Sequence, residues 1–248
     1  MLHQINRLIR KIFNSFGYEI VKTKNLAEDF SIGQWITKLN INTIIDVGSN
    51  EGQFINSIEG ILPNRKIIAF EPIESVYKKL VANTKAFNIV AYNFGLSDIN
   101  ATAEINISKN LVSSSLLNME DLHKKAYPES EYINKEVIQL KRLDDVINPA
   151  ELTGRILLKI DVQGYENKVI AGGNQTIKSV DIIIIEFSYQ PIYEGQWLFN
   201  EMYTYFVSNG FKFIGLADQV SHVGIGVPIF GDAIFIKADI ADGIYQLS

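Results

Sequence analysis

From Thr43 onward the chain alternates short, almost wholly apolar β runs with stretches that carry apolar residues at helical spacing. This alternation restricts the fold more than any other feature of the sequence. Thr43–Val47 predicts a first strand and about Gly52–Ile61 a helix. Lys66–Glu71 predicts a second strand, Glu74–Ala86 a helix, and Ile89–Phe94 a third strand. Strands without in/out alternation belong to a sheet covered on both faces. Strand–helix–strand repeats make neighbouring strands parallel, joined by right-handed crossovers. The expected class is α/β: a mostly parallel sheet with helices on both faces and a ligand site beyond the carboxyl ends of its strands.

The period then changes. Ala101–Ile107 and Glu136–Leu140 alternate like half-exposed strands, predicting an extra antiparallel pair. Between them lies Ser108–Lys135, long and polar, of the kind that serves as a lid. The α/β pattern resumes with a strand at Ile156–Asp161, a helix from about Tyr165 to Ala171, and a strand at Asp181–Phe187. A helix over Leu198–Asn209 stops at Gly210, and strands at Phe211–Leu216 and Ala233–Lys237 follow.

The 248 residues contain no cysteine, which removes disulfides, thiolate metal sites and cysteine nucleophiles. No apolar run approaches the roughly 18 residues of a membrane span, and no signal-peptide core is visible, so the expected location is cytoplasmic. The net charge of −5 does not favour nucleic acid as a partner. Residues 1–42 read as a lead-in and 43–248 as the main domain. In the lead-in, Ile5, Leu8, Ile9, Ile12, Phe13 and Phe16 form one helical stripe, with Arg7, Arg10 and Lys11 off it. Such a stripe usually packs on its own domain or a second copy; the alternative is peripheral membrane contact through residues 1–16.

The first strand runs into Asp46-Val47-Gly48-Ser49-Asn50-Glu51-Gly52. A strand, a glycine-bearing turn and a helix start offer main-chain N–H groups to a ligand. Gly48 permits the sharp turn and Gly52 a close helix approach. The spacing is not the triple-glycine dinucleotide turn, and there is no phosphate-loop lysine, so dehydrogenase and nucleoside-triphosphate chemistry are disfavoured. Glu71, at the tip of the second strand, can accept hydrogen bonds from both hydroxyls of a ribose. Gly95-Leu96-Ser97-Asp98 marks the third strand end, where an adenine edge would lie. Taken together and in order, these pieces point to S-adenosylmethionine.

The chain resembles the FkbM family of methyltransferases. The matching stretches are Ile44–Gly52, Ala69-Phe70-Glu71-Pro72, Gly95-Leu96-Ser97-Asp98, Leu143-Asp144-Asp145 and especially Leu158-Lys159-Ile160-Asp161-Val162-Gln163-Gly164-Tyr165-Glu166. Gln163 stands where the family more often has an acid. The resemblance implies a seven-stranded Rossmann-like methyltransferase fold. It also implies S-adenosyl-L-methionine as cofactor, held around Asp46, Gly48, Asn50, Gly52, Glu71, Pro72, Ser97 and Asp98. O-methylation of a saccharide or natural product is the implied reaction, placing the protein in polysaccharide or natural-product biosynthesis.

Methyl transfer to an alcohol needs alignment, exclusion of water and removal of a proton. Asp161 is the first candidate carboxylate, with Lys159 as its ion partner on the same side of the strand. Glu186 interrupts an apolar strand and requires a cation, a metal or a proton as partner. A divalent cation between Asp161 and Glu186 is conceivable but not favoured. His222, in the glycine-rich loop between the last two strands, is a candidate general base, with His123 weaker and His3 weaker still. Tyr127, Tyr189, Tyr193 and Trp197 are candidates for stacking on a sugar ring. The alternatives are a catalytically weak donor-binding scaffold, or a methyltransferase acting on protein or nucleic acid. Against the last, Asp161-Val162-Gln163-Gly164 lacks the Asn/Asp-Pro-Pro-aromatic run of base-amine methyltransferases.

Overall fold

The computed structural model describes residues 34–121, 127–222 and 225–244, all within one unit that begins at Gln34. The basic amphipathic stripe, His3 and His123 lie outside the described residues.

The main sheet has seven strands. β1 (Ile41–Val47), β2 (Lys66–Phe70), β3 (Ile89–Tyr92), β7 (Arg155–Ile160), β8 (Ile182–Ser188), β9 (Phe211–Ser221) and β10 (Pro228–Lys237) stand in the order β3-β2-β1-β7-β8-β10-β9. Neighbours from β3 to β8 are parallel, and β10 is antiparallel to both β8 and β9. The strand order reverses direction between β1 and β7, which is where ligands of such sheets bind. The unalternating pattern of the central strands is explained by their burial on both faces: Ile44, Ile45, Leu157, Leu158, Ile183 and Ile185 are all inaccessible.

α1 (Gln53–Ile61) follows β1 and buries Ile55 and Ile58, and α2 (Glu74–Thr84) follows β2 and buries Val76 and Leu80. Gly52, at φ +91, is the contact between these helices. A Cβ on it would lie 2.9 Å from Thr84 Cγ2, so its role is the close approach read from the sequence. α3 (Leu143–Val146), α4 (Glu166–Gly172), α5 (Asn174–Ser179), α6 (Phe199–Ser208) and α7 (Ala238–Ile244) complete the helices named in this account. The sequence pattern does not predict α3, α5 or α7; α3 and α5 are too short to show a helical period.

The expected antiparallel pair is β5 (Ala101–Ser108) with β6 (Tyr132–Lys141), extended by a two-residue strand, β4 (Gly95–Leu96), parallel to β6. This corrects the third-strand reading. β3 stops at Tyr92, because Gly95 and Leu96 leave the main sheet to pair with Leu140 and Lys141. The small sheet turns Ile105, Ile107, Ile138 and Leu140 inward onto Ile73 and Val76, while Ile133 and Val137 face solvent. β9 and β10 both run past the predicted ends toward each other. Beyond Leu216 the half-exposed pattern of β9 carries too little apolar signal to extend a prediction.

Among the described residues no helix is long and apolar enough to cross a membrane.

Candidate functional site

A cavity of about 530 Å³ opens at the carboxyl ends of β1, β2, β7 and β8. Its walls fall into three parts. The turn after β1 and the tip of β2 contribute Asp46, Gly48, Asn50, Glu71 and Pro72. The small sheet and the segment between β5 and β6 add Leu96, Ile105, Leu111, Leu116 and Ile138. The ends of β7, β8 and β10 give Lys159, Asp161, Gln163, Glu186 and Phe230.

The turn after β1 is set by sterics. Gly48 has φ +82, and a Cβ on it would sit 1.8 Å from the carbonyl oxygen of Asp161, so no other residue fits. The expectation that this turn offers main-chain donors to a ligand is corrected by its hydrogen bonds. The N–H groups of Gly48 and Ser49 both donate to Phe70 O at 3.0 Å. That of Gly52 donates to Ser49 O at 2.9 Å, that of Asn50 to Glu71 Oε2 at 3.0 Å, and that of Glu51 to Asn50 Oδ1 at 2.7 Å. The turn folds back on its neighbour strand because each buried N–H must find an acceptor; it shapes the cavity without aiming those donors into it.

What the turn does is fix an acid. Glu71 accepts from Asn50 N at 3.0 Å on one carboxylate oxygen and from Ile73 N at 2.9 Å on the other. These bonds hold the carboxylate rigidly and leave further lone pairs on both oxygens for a ligand in the cavity. Glu71 is only 5% exposed, and burial pushes its carboxyl up to about 7 against those two bonds. Asp46 is buried beside it, also raised to about 7 by burial, and its Oδ2 has no hydrogen-bond partner. An orphaned carboxylate oxygen lining a cavity calls for an N–H or O–H donor.

These two acids and the apolar wall suit a ligand that carries several N–H and O–H donors beside a flat apolar ring. Ile73, Ile105, Ile138, Leu111 and Leu116 form one cluster on that wall. Ser97 and Asp98, expected at the adenine edge, are not among the residues lining the cavity. Ser97 Oγ bonds Asp98 Oδ1 and the Tyr165 hydroxyl, and Asp98 is paired with Lys168 at 3.0 Å, which holds its carboxyl below the usual range. Gly95 and Leu96 line the cavity in their place.

At the other end, sheet register gathers charged groups. Asp46 on β1 is level with Lys159 on β7, and Glu186 on β8 is level with Asp232 on β10. Lys159 is buried and donates to Asp232 Oδ1 at 2.7 Å and Asp161 Oδ2 at 3.3 Å. Burial works against its ammonium, but the charges of Asp161 and Asp232 outweigh it and hold the proton above the ordinary lysine range. Glu186 has the amide of Gln163 as partner at 3.0 Å, and burial, reinforced by the charge of Asp161, pushes its carboxyl well above the usual range. Of the three partners expected for Glu186, the arrangement favours a proton. Among the described residues no group of three or more histidines and acids is disposed to hold a metal ion; Gln163 bridges Asp161 and Glu186. Glu166 is buried and accepts from Val162 N and Gly164 N, closing the turn after β7, and burial raises it to about 7.

His222 lies past the end of β9, its N–H donating to Val227 O, and is not among the described residues that line the cavity. Of the proposed stacking aromatics, Tyr127 lines the cavity and packs on Phe230 with ring centroids 6.2 Å apart. Tyr193 is buried, Tyr189 packs on Phe187, and Trp197 on Tyr205. Phe230, Gln163 and Tyr165 were missed. Phe230 reaches the site because β10 runs antiparallel, a placement no local pattern encodes.

A family model described as "Methyltransferase FkbM domain" matches residues 46–213, from the acid at the tip of β1 into β9. The chain belongs to the FkbM methyltransferase family. It is 28% identical over 160 residues to 2-O-methyltransferase NoeI of Sinorhizobium fredii, an alignment covering 62% of this chain and 66% of that protein. It is 31% identical over 153 residues to Methyltransferase sdnD of Sordaria araneosa, covering 52% and 59%. The FkbM-family chain thus spans from 59% to 66% of the length of these two relatives. Among solved structures it is similar to magnesium protoporphyrin IX methyltransferase (ChlM) from Synechocystis PCC 6803 with bound SAM. That likeness has 10% identity, a TM-score of 0.44, and coverage of 93% of this chain and 96% of that one.

Proposed function

We propose that this protein is an S-adenosylmethionine-dependent O-methyltransferase acting on a hydroxyl of a saccharide or other polyhydroxylated metabolite. One observation carries the donor half of the reading: two buried acids, Glu71 and Asp46, line one cavity, the first clamped by two main-chain N–H groups and the second with an unpartnered oxygen. Glu71 would accept from the ribose hydroxyls and Asp46 from the amino-acid end. When bound, the donor supplies an electrophilic methyl on a sulfonium.

The acceptor half rests on chemistry at the ends of β7, β8 and β10. Asp161 carries a carboxylate paired with a buried cation, and it would take the hydroxyl proton as the new C–O bond forms and the methyl–sulfur bond breaks to leave a neutral thioether. Lys159 stabilises that carboxylate before the transfer and loses part of its ion pairing after it. Tyr127 and Phe230 present aromatic surface beside these acids. Aromatic faces flanked by carboxylates suit a ring that is apolar on its C–H faces and polar at its edges. The 2-O-methyltransferase named among the relatives supports the choice of oxygen as acceptor atom.

The test is methyl transfer from labelled donor to a panel of glycosides and glycolipids by wild type and Asp161→Asn. The variant should lose about 100-fold or more in turnover while keeping wild-type affinity for S-adenosylhomocysteine. Equal loss of both would make Asp161 a donor ligand, and the absence of oxygen methylation across the panel would remove the acceptor class.

A further inference from the structure

Gln163 has φ +55, beside Gly164 at +91. A residue other than glycine is disfavoured in this left-handed region, so the position keeps a side chain at the expense of backbone comfort. That side chain makes bonds to three separate parts of the chain. Nε2 donates to Asp161 Oδ1 at 2.8 Å and to Glu186 Oε2 at 3.0 Å, and Oε1 accepts from the Tyr193 hydroxyl at 2.8 Å. The Gln163 carbonyl accepts from Ser115 Oγ at 2.6 Å. A primary amide can donate to two carboxylates and accept from a phenol simultaneously; a carboxylate of the same shape has no proton to donate, and an ammonium has no lone pair for the phenol.

We propose that Gln163 is a positioning residue for the methyl acceptor: by cross-linking Asp161 to Glu186 it fixes the direction in which Asp161 presents its remaining lone pairs to an incoming hydroxyl. The inference rests on the acceptor reading given above. The second lock on Asp161 is Lys159 on Oδ2, so each oxygen has one protein donor and the carboxylate cannot rotate without breaking one of them. Tyr193 in turn orients the side-chain amide, and Ser115 holds the Gln163 main chain. Tyr193 is buried in a cluster with Met119, Ile192 and Ile229, and Ser115 belongs to the segment between β5 and β6. The carboxylate pair and the segment over the cavity therefore share one hub.

The titratable and charged groups facing this hub are Asp46 on β1, Lys159 and Asp161 at the end of β7, Glu166 on α4, Glu186 on β8, Tyr193 in the loop after β8, and Asp232 on β10. Among the described residues facing the hub, an added carboxylate would find Lys159 as its one cation, and Lys159 already serves two acids.

The test compares wild type, Q163E, Q163L and the exchanged pair Q163E/E186Q by carboxyl-carbon NMR titration of labelled aspartates and glutamates, with S-adenosylhomocysteine affinity measured on each. In Q163E the Glu186 carboxyl should titrate at higher pH than in wild type, and the Asp161 carboxyl resonance should move. In the exchanged pair the Asp161 carboxyl resonance should return toward its wild-type position, because the amide is restored from the other side. Q163L, which keeps the volume without the amide, should displace both resonances and covers the case in which Q163E does not fold. Affinity for S-adenosylhomocysteine should stay within about threefold, while kcat on a glycoside acceptor falls by about tenfold to 100-fold. Asp161 and Glu186 carboxyl resonances that coincide with wild type in both single variants, in a protein that binds S-adenosylhomocysteine, would overturn the Gln163 assignment alone. Failure of wild type to bind S-adenosylhomocysteine would instead overturn the functional reading and the acceptor role with it.

Discussion

At the tips of β1 and β2 the cavity wall is mostly main chain, bent by Gly48 and braced so that one carboxylate is held still. At the ends of β7, β8 and β10 it is a mesh of side chains: Lys159, Asp161, Gln163, Glu186 and Asp232 hold one another. The first construction tolerates almost no substitution but needs few residues. The second distributes its geometry over several side chains, each of which can change without destroying the sheet. Under the proposed function the first kind of wall holds the methyl donor and the second the acceptor.

The contrast can be broken in order of expected effect. Gly48→Ala should be the most damaging change at the donor end. Its methyl would enter the Asp161 carbonyl at a φ that favours glycine, destabilising the fold by about 3 kcal/mol or more. A chemical denaturation midpoint near wild type would show that the turn is not sterically fixed. Lys159→Met should come next, at the acceptor end. It strips the cation from Asp161 and Asp232 and should cost about 2–3 kcal/mol, allowing for the partial solvent exposure of both acids. Donor affinity should nonetheless survive in the folded fraction, and its loss would mean that the two ends are not separate.

Asp46→Asn probes the raised acids. Asp46 sits at about 7 when folded and near its ordinary value of 3.8 when unfolded. Between those values the folded chain holds a proton that the unfolded chain has lost, so stability falls as pH rises through the window. Asp46→Asn removes that contribution. Its unfolding free energy should decline less from pH 5 to 8, with a relative gain on the order of 1 kcal/mol at pH 8. A slope equal to wild type would contradict the assignment. The smallest effect is expected from His222→Ala, which should leave methyl transfer within about threefold of wild type. A large drop would bring the loop between β9 and β10 into the reaction.

The sequence was most informative where structure follows from local pattern. The βα alternation predicted the central sheet and the inner/outer alternation predicted β5 and β6; Asp46, Gly48 and Glu71 line one cavity because each sits at or just beyond the tip of a strand. Failures came where the outcome depends on partners distant in the chain. The N–H groups after β1 were expected to face a ligand, but Phe70 O and Glu71 accept most of them. Ser97 and Asp98 were expected at the ligand, but β4 turns away to pair with β6, and Lys168 and Tyr165 take up their side chains. Gln163 gave one signal, a departure from the resembled family's usual acid, yet its three partners come from Asp161, Glu186 and Tyr193, and only the folded sheet brings them together.

The central claim is that the acid at the tip of β2, clamped by Asn50 and Ile73, holds the ribose of an S-adenosyl ligand. Calorimetric titration of wild type and Glu71→Ala with S-adenosylhomocysteine tests it directly. Wild type should bind saturably at one site, and the variant should lose about 100-fold or more in affinity, the cost of removing a charged acceptor from two hydroxyls. Equal affinity in the two proteins, or no binding by folded wild type, would contradict it.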